Sequence, residues 1–322
     1  MIAHFVLFKK QASERVNLQL QQQTGRMKIS LAFILTFFTI LANAQKNVFV
    51  LPPALSSIKE EDLKQDLFVL ASGNMRGRRA GTPDELRAAA WIAEQARKAG
   101  LKPAGDDGTY FQYFPIRRIT VSEGSTLALN GKSVALWKDA WLTRPVESRL
   151  EGSVTWLKTL ADTSTGIKGK MVAMNLLGSQ WYVRHPTVKK ESIAAVLNGD
   201  MIGRNNPDSA ALLGAVAPHR NSAELVAIAM KSNSQLTHFK IDTSWDAADH
   251  PENWYFRSDH LSYAQAGIPA IFFTTLLHPD YHTPRDEAQR IDIKKLSGMT
   301  KWMYATGWSV GNNKTAPAID TN

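Results

Sequence analysis

Nine consecutive residues, His278-Pro279-Asp280-Tyr281-His282-Thr283-Pro284-Arg285-Asp286, hold two imidazoles and two carboxylates. Imidazole nitrogen and carboxylate oxygen are the donors that zinc and similar ions take. The run follows an apolar stretch, Ile268 to Thr275, and a second apolar stretch, Ser192 to Leu197, leads into Gly199-Asp200. In open α/β sheets ligands collect beyond the carboxyl ends of strands. Asp200 and His282 are therefore candidate metal ligands, carried by different strands. Each residue type also has an ordinary use: an aspartate after a strand caps a turn or helix, and a loop histidine sits on the surface.

Ser258-Asp259-His260 opens a helix just upstream. Ser258 could cap it, with Asp259 near the positive helix end. Alternatively, Asp259 orients a metal ligand and His260 faces a substrate, with Tyr281 in a similar role. His185, His219, His238 and His250 have no partner at ligand spacing and read as surface residues. Trp245, Trp254, Tyr255 and Phe256 suit core packing, or the wall of a pocket. No residue in these patterns is identified as a general base or nucleophile.

The elements that must position these groups follow from periodicity. Residues 59–72 read as an amphipathic helix. A second helix begins at Thr82, with Pro83 at its first position and Glu85 completing a capping box, and stops at Gly100. Thr126 to Leu129 and Ser133 to Leu136 alternate around Asn130-Gly131, a hairpin signal. Ser153 to Leu157 is a further short strand. From Lys170 onward strands alternate with helices: strands at Met171–Met174, Ser192–Leu197, His238–Ile241 and Pro269–Thr274, helices at Ala223–Met230, His260–Ala266 and from Ile293. That order implies an α/β fold with a mostly parallel sheet flanked by helices, carrying a small β-rich insertion.

Composition narrows the class. Hydrophobic content of 44% and charged content of 21% over 322 residues are those of a globular chain. With no cysteine there is no disulfide and no thiolate zinc site. Of 38 basic and 29 acidic residues, five and one respectively precede residue 45, so the remainder carries +5. These charges are scattered, which argues against nucleic acid as a partner. Met27-Lys28, the apolar run Leu31 to Ala42 and the small-x-small Ala42-Asn43-Ala44 read as a signal peptide. The run is too short to span a bilayer comfortably, so no stable membrane span is expected after cleavage. The expected organisation is a mis-assigned upstream extension over 1–26, with translation starting at Met27, a signal peptide over 27–44 and an N-terminal helical part over 45–118. The β-rich insertion covers 119–170 and the C-terminal part 171–322. The mature protein is expected to be exported, to the periplasm or the exterior.

Several motifs together resemble the secreted MH-clan zinc aminopeptidases, of the bacterial leucyl-aminopeptidase type. Arg76 to Gly81, the helix to Gly100, Leu101 to Gly105 and Thr109 to Gln112 are similar to their opening segment. Asn198-Gly-Asp-Met-Ile-Gly-Arg204 is similar to their strand bearing an acidic zinc ligand. Arg257-Ser-Asp-His260, Gly267-Ile-Pro-Ala270 and His278 to Asp286 resemble their closing segment, where His282 matches the last zinc ligand. The resemblance implies a zinc-exopeptidase-like fold, two zinc ions, a carboxylate bridging them, a glutamate general base and a peptide substrate cut at its N-terminal bond. Asp200 and His282 would be terminal ligands.

The same comparison shows departures. Leu176-Leu177-Gly178-Ser179 matches the turn that follows the family's adjacent glutamates, but the glutamate positions hold Val172 and Ala173. The family's His-x-Asp and bridging aspartate have no counterpart. The resemblance thus implies an incomplete core with most metal ligands removed, weak or absent zinc binding, and impaired or lost hydrolysis. A non-catalytic peptide-binding pseudoenzyme, or a truncated gene product without function, are the alternatives.

Overall fold

The structure, a computed structural model, describes residues 3–8, 51–116, 124–135 and 176–321. The strands are β1 (Ala3–Phe8), β2 (Leu127–Leu129), β3 (Lys132–Val134), β4 (Ile193–Gly199), β5 (Ser209–Leu213), β6 (Lys240–Asp242) and β7 (Ala270–Thr274). The helices are α1 (Glu60–Leu70), α2 (Pro83–Lys98), α3 (Leu177–Arg184), α4 (Ala223–Ser232), α5 (His260–Gln265) and α6 (Ile293–Asn312). Five strands form one sheet in the order β1-β4-β7-β5-β6.

The fold is α/β, as periodicity predicts, but the sheet is mixed rather than mostly parallel. β4 pairs with β7 and β5 with β6 in parallel, whereas β5 runs antiparallel to β7 and β1 antiparallel to β4. β5 is the strand that periodicity did not reveal. Its run of small apolar residues is too short to separate strand from helix, and its direction is what makes the sheet mixed. The export reading leaves residues 1–44 outside the fold, yet six of them form β1. Met171–Met174 and Ser153–Leu157 lie outside the described residues.

Other elements match their local signals. Asn130 and Gly131 both take positive φ, 50° and 75°, as a two-residue hairpin turn requires. α4 is capped by Ser222, whose hydroxyl accepts from the Leu225 amide, and α6 by Asp292, whose carboxylate accepts from the Lys295 amide. α2 starts with Pro83, but its capping box is displaced. Thr82 donates its hydroxyl to the Arg79 carbonyl, and Glu85 reaches the Gly81 amide. Leu177 to Arg184, whose start reads as a turn in sequence, is helical.

Both sheet faces are covered, so β4 and β7 read as continuous apolar runs. Ile271 and Phe273 face one layer with Leu225 and Ala229 of α4 and Met299, Trp302 and Met303 of α6. Ala270 and Phe272 face the other, with Tyr263 of α5 and with Trp254 and Tyr255. Trp302 anchors the first layer. It is fully buried, meets Phe273 edge to face at 4.7 Å, and donates its indole N–H to the Ala229 carbonyl at 2.7 Å. Trp302→Ala therefore leaves a cavity and removes one of the hydrogen bonds to the Ala229 carbonyl, which also accepts from the Asn233 amide. It is expected to cost about 3–5 kcal/mol in urea unfolding, and a loss below about 1 kcal/mol would refute the packing role.

Candidate functional site

β4 and β7 end side by side because they pair in parallel, with Gly199 opposite Phe273. The Asp200 amide continues the ladder, donating to the Phe273 carbonyl at 3.2 Å. Beyond it the two exits are stitched together. Thr275 donates its amide (2.9 Å) and its hydroxyl (2.6 Å) to the Met201 carbonyl. The Asn205 side-chain amide donates to the carbonyls of Thr275 (2.6 Å) and Leu277 (2.8 Å). Gly203 lies under Ile291, where a Cβ would come within 2.6 Å of a methyl group.

Asp200 is half-buried at this end. Its Oδ2 accepts from the Ser258 hydroxyl at 2.9 Å, and Ser258 Oγ accepts from the buried Asn198 side-chain amide at 2.8 Å. Ser258 thus points its hydroxyl at Asp200 and does not cap α5, which corrects the capping reading. Its main-chain carbonyl accepts from Leu261 instead. Tyr281 stands nearby. Burial raises its phenol pKa first, and the Asp200 charge raises it further. Tyr281 stacks on His282 with ring centroids 3.8 Å apart and meets Trp254 edge to face at 5.7 Å. The fold therefore brings Asp200, Tyr281 and the exposed His282 into one neighbourhood, with His282 at a positive φ of 55°.

His260 and Asp259 are placed differently. His260 is fully buried, stacked on Phe272 at 4.9 Å and edge-on to Tyr255 at 4.8 Å. Asp259 is also buried, and its charge adds to the burial that raises the Tyr263 phenol. Trp254 and Tyr255 are core residues, Trp245 is half-buried beside them and Phe256 is exposed. Among the histidines read as surface residues, His219 differs. Its Nδ1 lies 3.1 Å from the carboxylate of fully buried Asp246 and 2.8 Å from its carbonyl, and its ring stacks on Tyr255 at 4.2 Å. Asp246 also accepts the amides of Gly214, Ala215 and Val216. The partners are far apart in sequence, which is why spacing missed them.

The loop that carries Tyr281 and His282 is pinned by Asp280. This buried carboxylate accepts from Arg204 Nη2 (2.6 Å), Arg285 Nε (3.1 Å) and Arg290 Nη1 (3.2 Å). Those partners, Arg204 first, hold its carboxyl down at about 2. Arg204 also approaches Asp286 at 3.6 Å, and His278 Nε2 stands 3.8 Å from the same carboxylate. Burial, then the Arg204 charge, lowers the His278 imidazole. From the far side, Lys295 of α6 is buried and donates to the Asn206 carbonyl. Burial pushes its ammonium down to about 8. Arg204 gave no sequence signal, although it is the cation that ties one exit to the other.

A zinc site takes at least three protein donors. Among the described residues no group of three His, Cys, Asp or Glu side chains converges. Asp200 offers one carboxylate, already engaged by Ser258, and His282 one imidazole. The described residues therefore do not fit a zinc ion. Val172 and Ala173, at the positions where the resemblance expects glutamates, lie outside the described residues.

Residues 174–306 match the sequence model of Peptidase family M28. No curated protein matches the chain. Similar solved structures include an aminopeptidase from Aneurinibacillus sp. strain AM-1, 19% identical, with a TM-score of 0.33 over 45% of this chain and 31% of that one. The Legionella pneumophila LapA aminopeptidase is 21% identical, with a TM-score of 0.34 over 43% and 36%. The Bacillus subtilis zinc aminopeptidase BSAP is 18% identical, with a TM-score of 0.34 over 45% and 36%. The chain spans about a third of the length of these structures. Among the described residues no helix is long and apolar enough to cross a membrane.

The Asp280 cluster makes a pH prediction. Its folded carboxyl lies below the unfolded value, so its contribution to stability is complete above about pH 4 and is lost as pH falls toward about 2. Asp280→Asn is expected to lower the urea midpoint at neutral pH, and the gap to wild type should close across that acid window. A gap that persists below it would exclude the charge as the cause.

Proposed function

We propose that the chain is an exported, zinc-aminopeptidase-type polypeptide with weak zinc binding and impaired hydrolysis of the N-terminal peptide bond. In this reading Asp200 and His282 are the terminal ligands that remain from a two-zinc centre, peptide is the partner, and Tyr281 borders the place where it would lie. The family match over residues 174–306 supports the class. The observation that supports the impairment is the donor set: Asp200 follows β4, His282 follows β7, and no group of three His, Cys, Asp or Glu side chains converges among the described residues.

Without a ligand set that fits, no hydrolytic step is assigned to these residues. What they can do is electrostatic. Asp200 presents negative charge at the sheet end, Ser258 and Asn198 hold its orientation, and Tyr281 and His282 form an aromatic wall beside it. Such a place suits a peptide amine over a carboxylate. Peptide binding without catalysis is therefore the second reading, favoured by the extended strand Ala3–Phe8 already seated beside β4.

Purified full chain, incubated with excess zinc and desalted, is expected to hold less than one zinc per chain and to release no nitroaniline from leucine p-nitroanilide above background. About two zinc per chain, with turnover, would overturn the impairment. Whatever zinc does bind should weaken roughly ten-fold or more in His282→Ala. Unchanged affinity removes His282 from the ligands.

A further inference from the structure

β4 is buried along its whole length, and its two edges are covered differently. On one side lies β7, parallel and continuous with the rest of the sheet. On the other lies β1, antiparallel, with Ala3 opposite Gly199, Val6 opposite Val196 and a register irregularity at Leu7/Phe8. The strands β4-β7-β5-β6 are linked to one another without β1. What β1 contributes at that edge is a set of main-chain hydrogen bonds, which any extended chain of suitable side chains can offer.

Direction adds a second observation. An extended segment laid antiparallel on β4 runs with its amino-terminal side toward Gly199, and the next residue is Asp200. The half-buried Asp200 carboxylate therefore stands at the end where the amine of a seated peptide would arrive, with Tyr281 beside it.

We propose that this edge of β4 is a peptide-docking edge. It takes an extended apolar peptide, antiparallel, with its amino end at Asp200, and the chain's own Ala3–Phe8 occupies it as a tethered competitor. The assignment rests on the peptide-partner reading above and deepens it, because it names where the peptide lies and which way it runs. Cleavage after Ala44, the expected export site, would detach the competitor and open the edge. A tethered strand acts at a high effective concentration, so a free peptide binds only weakly until the tethered one is removed.

The test uses a synthetic peptide of residues 3–10, Ala-His-Phe-Val-Leu-Phe-Lys-Lys, labelled at its carboxyl end, with fluorescence anisotropy in the presence of EDTA. In the full chain, Phe5→Pro with Val6→Pro removes a ladder donor whichever of the two faces β4. That variant is expected to bind the peptide at least about ten-fold more tightly than wild type. A second variant does not depend on the first folding. The chain has no native cysteine, and Phe5 lies directly opposite Leu197. Phe5→Cys with Leu197→Cys is therefore expected to close an intramolecular disulfide, since opposed residues in an antiparallel pair fall within bridging range. The oxidised form should refuse the peptide, and reduction should restore the wild-type level. N-acetylation of the peptide should weaken binding several-fold to the proline variant, and Asp200→Asn should erase that difference. Equal peptide binding by the wild-type, proline and oxidised chains would overturn the docking edge, and indifference to acetylation would overturn the direction. With the metal chelated, neither outcome depends on zinc binding or turnover, which test the proposed function separately.

Discussion

The parallel pairing of Val196–Gly199 with Ala270–Phe273 fixes where the chain leaves the sheet, and Asp200, Tyr281 and His282 each hang on one of those two exits. Asp200 follows β4 directly. Tyr281 and His282 follow β7 through a loop that could not hold a position alone, since Pro279, His282 and Arg285 are all exposed. What holds it is the stitching between the exits. Met201 accepts from Thr275, Asn205 donates to the β7 exit, and Arg204 reaches across to Asp280. Buried charge is costly unless paired, and Asp280 is paired with three guanidinium groups. The loop therefore has one arrangement in which those charges are compensated.

Ser258 links two of the polar groups at this end of the sheet, although the Asn198 side-chain oxygen is buried without a hydrogen-bond partner among the described residues. Asn198 sits inside β4 with no exposure, which is expensive for an amide without a partner. Its side-chain amide donates to Ser258, and Ser258 donates to Asp200. A line of donors thus runs from the sheet interior to the one carboxylate at its end. His260, one residue beyond Asp259, packs between Phe272 and Tyr255 and serves the core. Adjacent residues of one motif are divided between site and interior because the start of α5 turns them in different directions.

An α/β sheet needs neighbours on both sides of a fully apolar strand. β4 has β7 on one side, and on the other a strand from the far amino-terminal part of the sequence. The family match covers residues 174–306 and so includes β4 but not β1. The antiparallel direction of β1 then acquires a chemical meaning, because it sets the amino side of the added strand against Asp200.

Much of this was determined by the sequence itself. Apolar runs with capping and turn residues placed β4, β7, the hairpin, α1, α2, α4 and the start of α6, because those signals act over a few residues. Residue type and position after a strand were enough to nominate Asp200 and His282. Tertiary structure alone decided the rest. The direction of β5, and with it the mixed sheet, depends on partners distant in the chain. So do the pairing of Arg204 with Asp280, the turn of the Ser258 hydroxyl toward Asp200, and the seating of His219 on Asp246. Spacing along a chain reports local geometry. It carries no information on which distant charge or strand edge will be left needing a partner once the sheet has formed, and that need is what assembled the site.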